Sequence, residues 1–403
     1  MGAAANRFVA LDSLRGFAAC MVVFHHMQWS GLFLGSAVVR EGVYFVDFFF
    51  VLSGFVIAEN YGDRLRDGFS LGRFVFLRLG RLWPLHLAVV GMLLAAKLLS
   101  FALFPESYPA GQAFYGDRSL ENLFYAVFLL HGWQEHNAWH TVSWSISIEL
   151  LLYLFFALAW RFLGRWGLAV ALAGIAYGCA VSWGMLSGNP GIVRGLLGFS
   201  AGALAWQVHR QYLGQLELGR GAATTLEVLA GMAMLGAVAN LGLVTLPVGV
   251  AAFVAVVLVY AHDRGAVSQF LAGPLPVLLG ALSYSIYMIH GPFLAGAKAG
   301  LARIEPLLGR GVVDRFEGPV QTDLLALALL AAICSLAQLS YRFIEAPARE
   351  CSQRIAPASR GARKPDKREG SGTDSRRTHG KVSTLPSRWV TRGHGGREDC
   401  RNE

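Results

Sequence analysis

Charge is scarce in this chain. Only 15% of its 403 residues are Asp, Glu, Lys or Arg, against about 25% in soluble domains, which argues against a water-soluble globule. Cysteine is sparse too. The five, at positions 20, 179, 334, 351 and 400, form no CxxC pair, so neither a zinc site nor a disulfide framework is indicated and no metal is expected. A cleavable leader is not expected either. Asp12 and Arg15 interrupt the first apolar run and no small-residue cleavage site precedes the next, so that run reads as a retained signal anchor. The basic C-terminal tract has little aromatic interleaving apart from Trp389. Nucleic acid is therefore not an expected partner.

What the chain has is apolar length. Hydrophobic residues make up 54%, and uncharged stretches near the roughly 20 residues that cross a bilayer recur along it. Ten segments are expected, at about 8–29, 41–60, 82–104, 143–163, 166–186, 191–208, 223–242, 245–261, 275–299 and 321–345. The even-numbered connections carry Arg64, Arg66, Arg73, Arg78, Arg81, Arg161, Arg165, Arg210, Arg220 and Arg264. By the positive-inside rule both termini are then cytoplasmic, as an even number of crossings requires. The expectation is an all-α polytopic protein of about ten transmembrane helices in the inner (cytoplasmic) membrane. Residues 1–350 form its membrane domain and 351–403 a disordered basic tail. From Ser352 onward 13 Lys/Arg face 6 Asp/Glu, a composition that resists folding and is drawn to anionic lipid headgroups.

Polar residues inside such segments are costly and mark functional sites by default. Arg15 and His26 lie eleven residues apart in the first segment. Both therefore fall on one helix face, about 16 Å apart along the axis, with His25 rotated away. Asp47, among phenylalanines, needs a cationic partner. Arg78 and Arg81, at the cytoplasmic entrance of the third segment, share a face and can close on one multiply charged anion. Ser145, Glu149 and Tyr153 form a polar stripe in the fourth segment, and Glu149 can orient His26 as an acid orients a catalytic histidine. Ser283, Tyr287 and His290 form another stripe, lining a pocket or anchoring at the interface. Tyr341, Arg342 and Glu345 read as interfacial and structural.

A phosphate-binding pair on one side and a histidine with an acid on the other suit a slender donor with a charged head and a reactive tip. Acyl-coenzyme A has that form. His26 would take the proton of an acceptor hydroxyl as it attacks the thioester. Arg15 would bind a phosphate or steady the oxyanion. The account requires a water-accessible tunnel walled by both Arg15 and His26.

At these residues the sequence resembles the acyltransferase 3 family of integral-membrane O-acyltransferases. The resemblance rests on LDSLRG with His26 in R-x10-H spacing, DFFFVLSGF at 47–55 and R-x-x-R-x-x-P at 78–84. SWSISIE at 143–149, SYSIYMIH at 283–290 and FIEAP at 343–347 complete it, in the family's order over about 8–350. It implies ten helices, an acyl-CoA donor from the cytoplasm (acetyl-CoA as the commonest) and a carbohydrate or glycoside acceptor. It also implies roles for Arg15, His26, Arg78, Arg81 and Glu149 close to those just given. Acyl-chain width is expected to be set around Phe48–Phe50 and Leu150–Leu152. Two other classes stay open. One is a secondary transporter using the intramembrane His, Arg and Glu as a substrate and proton path; the other is a non-catalytic assembly partner of a glycan pathway. Oligomeric state is not legible.

Overall fold

The structure, a computed structural model, describes residues 8–108, 112–133, 139–242, 245–308 and 318–356. The tail expected to be disordered lies, beyond Ala356, outside them. Among the described residues there is helix and no strand. The ten longest helices are α1 (Val9–Met27), α2 (Phe45–Arg66), α3 (Leu71–Leu103), α4 (Trp144–Leu163) and α5 (Gly167–Ser182). They continue as α6 (Pro190–Val208), α7 (Arg220–Ala239), α8 (Leu246–Tyr260), α9 (Pro274–Leu308) and α10 (Pro319–Ser340). Each overlaps one expected segment. Six are long and apolar enough to cross a membrane, namely α2, α3, α4, α7, α9 and α10. The other four are the two carrying the lone arginines Arg15 and Arg194 and two shorter apolar helices, α5 and α8.

Two boundaries differ from expectation, for local reasons. Helix α3 starts at Leu71, eleven residues before the apolar run, because Ser70 caps it by accepting from the Arg73 N–H. Its first turns are charged but helical, so Arg78 and Arg81 stand inside the helix and not at its entrance. At the other end α10 passes through one turn of π-helix, Tyr341–Glu345, into a helix Ala346–Ile355 that runs across the 350/351 boundary. Such turns often re-aim a side chain at a functional position. Here Glu345 is turned inward, 3% exposed, and accepts from the Ser285 hydroxyl at 2.8 Å. It is thus a buried group, not an interfacial one.

Two close crossings frame the interior. Gly16 of α1 lies on the Leu279–Gly280 backbone of α9, and Gly280 lies on the Asp12 carbonyl. Neither position has room for a Cβ, so small residues let the backbones touch as membrane helices require. Gly54 of α2 and Gly202 of α6 meet the backbones of Phe199 and Val51 in the same way. Helix α1 is further fixed at its start by Asp263, whose carboxylate accepts from the N–H groups of Val9 (3.1 Å) and Ala10 (3.0 Å). Ser13 donates to the Leu271 carbonyl at 2.7 Å. Asp263→Ala is expected to lower stability by about 1 kcal/mol, as loss of a helix cap does, and Asn by less. Thermal unfolding of the detergent-solubilised variants measures it.

Candidate active site

A cavity of about 790 Å3, its mouth included, lies between α1, α2, α3, α4 and α9. Three guanidinium groups line it: Arg15 from α1, and Arg78 and Arg81 from α3. One carboxylate, Glu149, stands among them, so the wall carries a surplus of positive charge that suits an anion. Each cation with a described bond is held from behind. Arg15 Nε donates to the Ser283 hydroxyl (2.8 Å), and its Nη2 to the Gly280 carbonyl (3.3 Å). Arg78 donates to the Tyr61 hydroxyl at 2.9 Å and lies over the Tyr61 ring at 4.9 Å.

The α4 stripe faces this cavity along its length. Glu149 accepts from the hydroxyls of Ser53 (2.6 Å) and Tyr153 (2.5 Å). Ser145 donates to Tyr287, whose hydroxyl donates to the Val142 carbonyl at 2.8 Å. Glu149 therefore belongs with the arginines. The expectation that it orients His26 fails on geometry, because its described bonds go to α2 and to its own helix.

His26 occupies a different place. Its Nδ1–H donates to the Val22 carbonyl one turn back, at 2.8 Å, an assignment that leaves Nε2 with its lone pair. The ring packs on His290, centroids 4.9 Å apart. His290 is fully buried; its Nδ1–H donates to the Tyr287 carbonyl (2.7 Å) and its Nε2 has no hydrogen-bond partner. His25 donates to the Arg40 carbonyl at 2.7 Å. The two histidines thus differ in their hydrogen-bond partners, although their rings still meet edge-to-face at 5.1 Å.

The expected tunnel walled by Arg15 and His26 is interrupted. Neither His26 nor His290 lines the cavity, whereas Phe49 and Tyr287 do. Their rings meet edge-to-face at 5.9 Å, and Tyr287 in turn lies 5.6 Å from His290. His290 is thus a neighbour of His26 and not a wall of the arginine cavity. Asp47 is no cavity residue either. It is fully buried and held by Arg194 of α6, Nε to Oδ1 at 3.0 Å and Nη2 to Oδ2 at 2.7 Å. Arg194 sits between Tyr44 and Trp144, 5.3 and 5.2 Å from their ring centres. Of the residues expected to set acyl width, Phe49 and Phe50 line the cavity; Phe48 packs on Phe253, and Leu150–Leu152 do not line it.

Arg194 was missed in the sequence, though a signal existed. It is the lone charge of its segment, five residues into α6, as Asp47 is three residues into α2. A cluster of buried histidines, His86, His131 and His140, was missed as well. His86 stacks 6.1 Å from His131 and 5.7 Å from His140. His86 donates to the Ala126 carbonyl and His140 to the Met288 carbonyl, which ties the residues before α4 to α3 and α9. Among the described residues no group of three or more His, Cys, Asp or Glu is arranged to hold a metal ion.

The acyltransferase domain model of the acyltransferase 3 family matches residues 8–339, most of the chain and all five helices around the cavity. This chain belongs to that family. It is 26% identical over 372 residues to a protein of Komagataeibacter xylinus named as a membrane-bound transacylase, BcsY, covering 82% of this chain and 89% of that one. It is 31% identical over 166 residues to the acyltransferase MdmB of Streptomyces mycarofaciens, 38% of this chain and 40% of that protein. Nodulation protein 10 of Rhizobium leguminosarum bv. viciae is 29% identical over 192 residues, 43% of this chain and 50% of its own length. No solved structure matches. The protein is a membrane acyltransferase by family, and nothing among these relatives supports the transporter alternative.

Proposed function

We propose that this acyltransferase moves an acyl group, acetyl in the first instance, from acyl-coenzyme A to a hydroxyl of a glycan or glycosylated metabolite. It does so as a ten-crossing protein of the inner membrane with both termini inside. The observation that carries the reading is the convergence of Arg15, Arg78 and Arg81 on one cavity. Guanidinium forks match phosphate oxygens, and three of them suit a polyphosphate head with its arm reaching inward. The place of Arg15 beside Arg81 favours a donor-holding role over one at the oxyanion. Glu149, bonded to Ser53 and Tyr153, positions the wall and limits the positive surplus.

The reaction takes place at the far end of the arm. His26 Nε2 takes the hydroxyl proton as the hydroxyl oxygen bonds to the thioester carbonyl carbon. The carbon–sulfur bond then breaks, and the proton passes to the departing thiolate, giving ester and coenzyme A. His26 is exposed at the end of α1, which suits an acceptor arriving from outside.

The donor assignment is tested by ligand-dependent melting. A ligand that binds only the native state at 100 times its Kd stabilises it by about 2.7 kcal/mol. Coenzyme A is expected to raise the melting temperature of the wild type. Arg81→Ala should lose most of that rise while melting near the wild type without ligand. No rise with the wild type would overturn the donor.

A further inference from the structure

Resting on the donor reading just given, we infer that Phe49 is a movable gate between the arginine cavity and His26. By its size it would also select the acyl group that passes. The chamber that takes the donor arm has Phe49 and Tyr287 in its wall, while the base does not line it and packs on His290, itself a neighbour of Tyr287. The thioester carbon must nonetheless come within bonding distance of a hydroxyl held at His26. One of the two rings has to yield.

The structure distinguishes them. Tyr287 is tied at its hydroxyl to Ser145 and to the Val142 carbonyl, and 95% of it is buried, since only 5% is exposed. Phe49 is held by packing alone, is only partly buried, and touches both apolar cores of the molecule. Consecutive residues on a helix point about 100° apart, which gives the three phenylalanines different neighbours. Phe48 packs on Phe253 and Phe50 on Trp144, so both anchor α2. Phe50 borders the cavity as well but is buried, whereas Phe49, only partly buried, lines it and meets Tyr287. A rotation about its side-chain torsions crosses no hydrogen bond and breaks no ion pair. Closed, it separates the thioester from water on the His26 side; open, it admits the acyl tip.

The gate predicts leakage when it is removed. In Phe49→Ala, water takes the place of the acceptor. Its oxygen bonds to the acyl carbon, the carbon–sulfur bond breaks, and the products are a free carboxylic acid and coenzyme A. The experiment follows thiol release from acetyl-, butyryl- and hexanoyl-coenzyme A by protein in proteoliposomes with no acceptor added. Release from acetyl-coenzyme A is expected to rise about tenfold over the wild type, as for loss of a lid that excludes water. The hexanoyl-to-acetyl ratio should rise with it, and Phe49→Trp should fall below the wild type on both. Phe49→Ala/His26→Ala should lose the gain, because the leaking water needs the same base; a merely loosened fold would keep it.

Phe49→Leu, which keeps most of the packing, carries the test if Ala does not fold. If a folded variant, shown by coenzyme A-dependent melting, releases thiol at the wild-type rate with an unchanged chain-length ratio, Phe49 is no gate while the donor reading stands. If coenzyme A stabilises neither protein, the donor reading falls and the gate with it.

Discussion

His26→Ala is expected to lower acyl transfer by about 10²–10⁴-fold, the usual worth of a positioned general base, while coenzyme A still raises the melting temperature. His25→Ala should stay within a few-fold of the wild type. The difference between adjacent histidines follows from what each ring bonds and packs on. The Val22 carbonyl takes the Nδ1 proton of His26 and fixes the tautomer, leaving Nε2 to accept the hydroxyl proton. His25 instead has its Nδ1 on the Arg40 carbonyl, and its ring lies edge-on to His26 at 5.1 Å, whereas His26 packs on His290. Retained binding matters as much as lost rate, since the arginine cavity does not include His26. An acyl-transfer assay alongside melting separates the two. A His26→Ala protein that transfers at the wild-type rate would remove the base from the mechanism.

The R-x10-H spacing was legible because helix phase is a local property. It put Arg15 and His26 on one face of α1 and gave His25 a different bonding partner, the Arg40 carbonyl. The α4 stripe was legible for the same reason, and Ser145, Glu149 and Tyr153 do share one wall. What failed was depth and pairing between helices. Glu149 could not be assigned to a neighbour from its own helix, since Ser53, with which it bonds, lies 96 residues away on α2. The start of α3 was misplaced because hydropathy sees apolar residues, and Arg73, Arg78 and Arg81 hide a helix that Ser70 caps. Glu345 read as interfacial because nothing in FIEAP announces the turn of π-helix that brings it inward. The division of the passage by Phe49 and Tyr287 depends on two rings 238 positions apart, whose meeting no spacing rule contains.

Replacing Arg194 by Met is expected to be the most damaging single change away from the cavity. Removing one member of a buried ion pair costs about 3–5 kcal/mol, because the other is left as an uncompensated charge. Asp47 has no exposure at all, so its carboxylate would have to be buried bare or take up a proton. Lys should rescue only in part: it keeps the charge but cannot reproduce the two-pronged contact or the stacking between Tyr44 and Trp144. The same principle gives the opposite sign for removing both charges. Asp47→Leu/Arg194→Met leaves no orphan and should recover most of the stability lost by Arg194→Met alone. Yield of monodisperse protein and melting temperature in detergent measure all three, and coenzyme A-dependent melting shows whether the cavity survives. An Arg194→Met protein that melts with the wild type would mean the pair bears no weight in the fold. A double variant no better than the single would mean that the loss lies in the packing of the guanidinium against its aromatic neighbours and not in the stranded charge. Because the pair clamps α6 to α2 just before the helix turns that carry Phe48, Phe49 and Phe50, its loss should also raise thiol leakage in any fraction that still folds. That links the stability of this contact to the passage beside it.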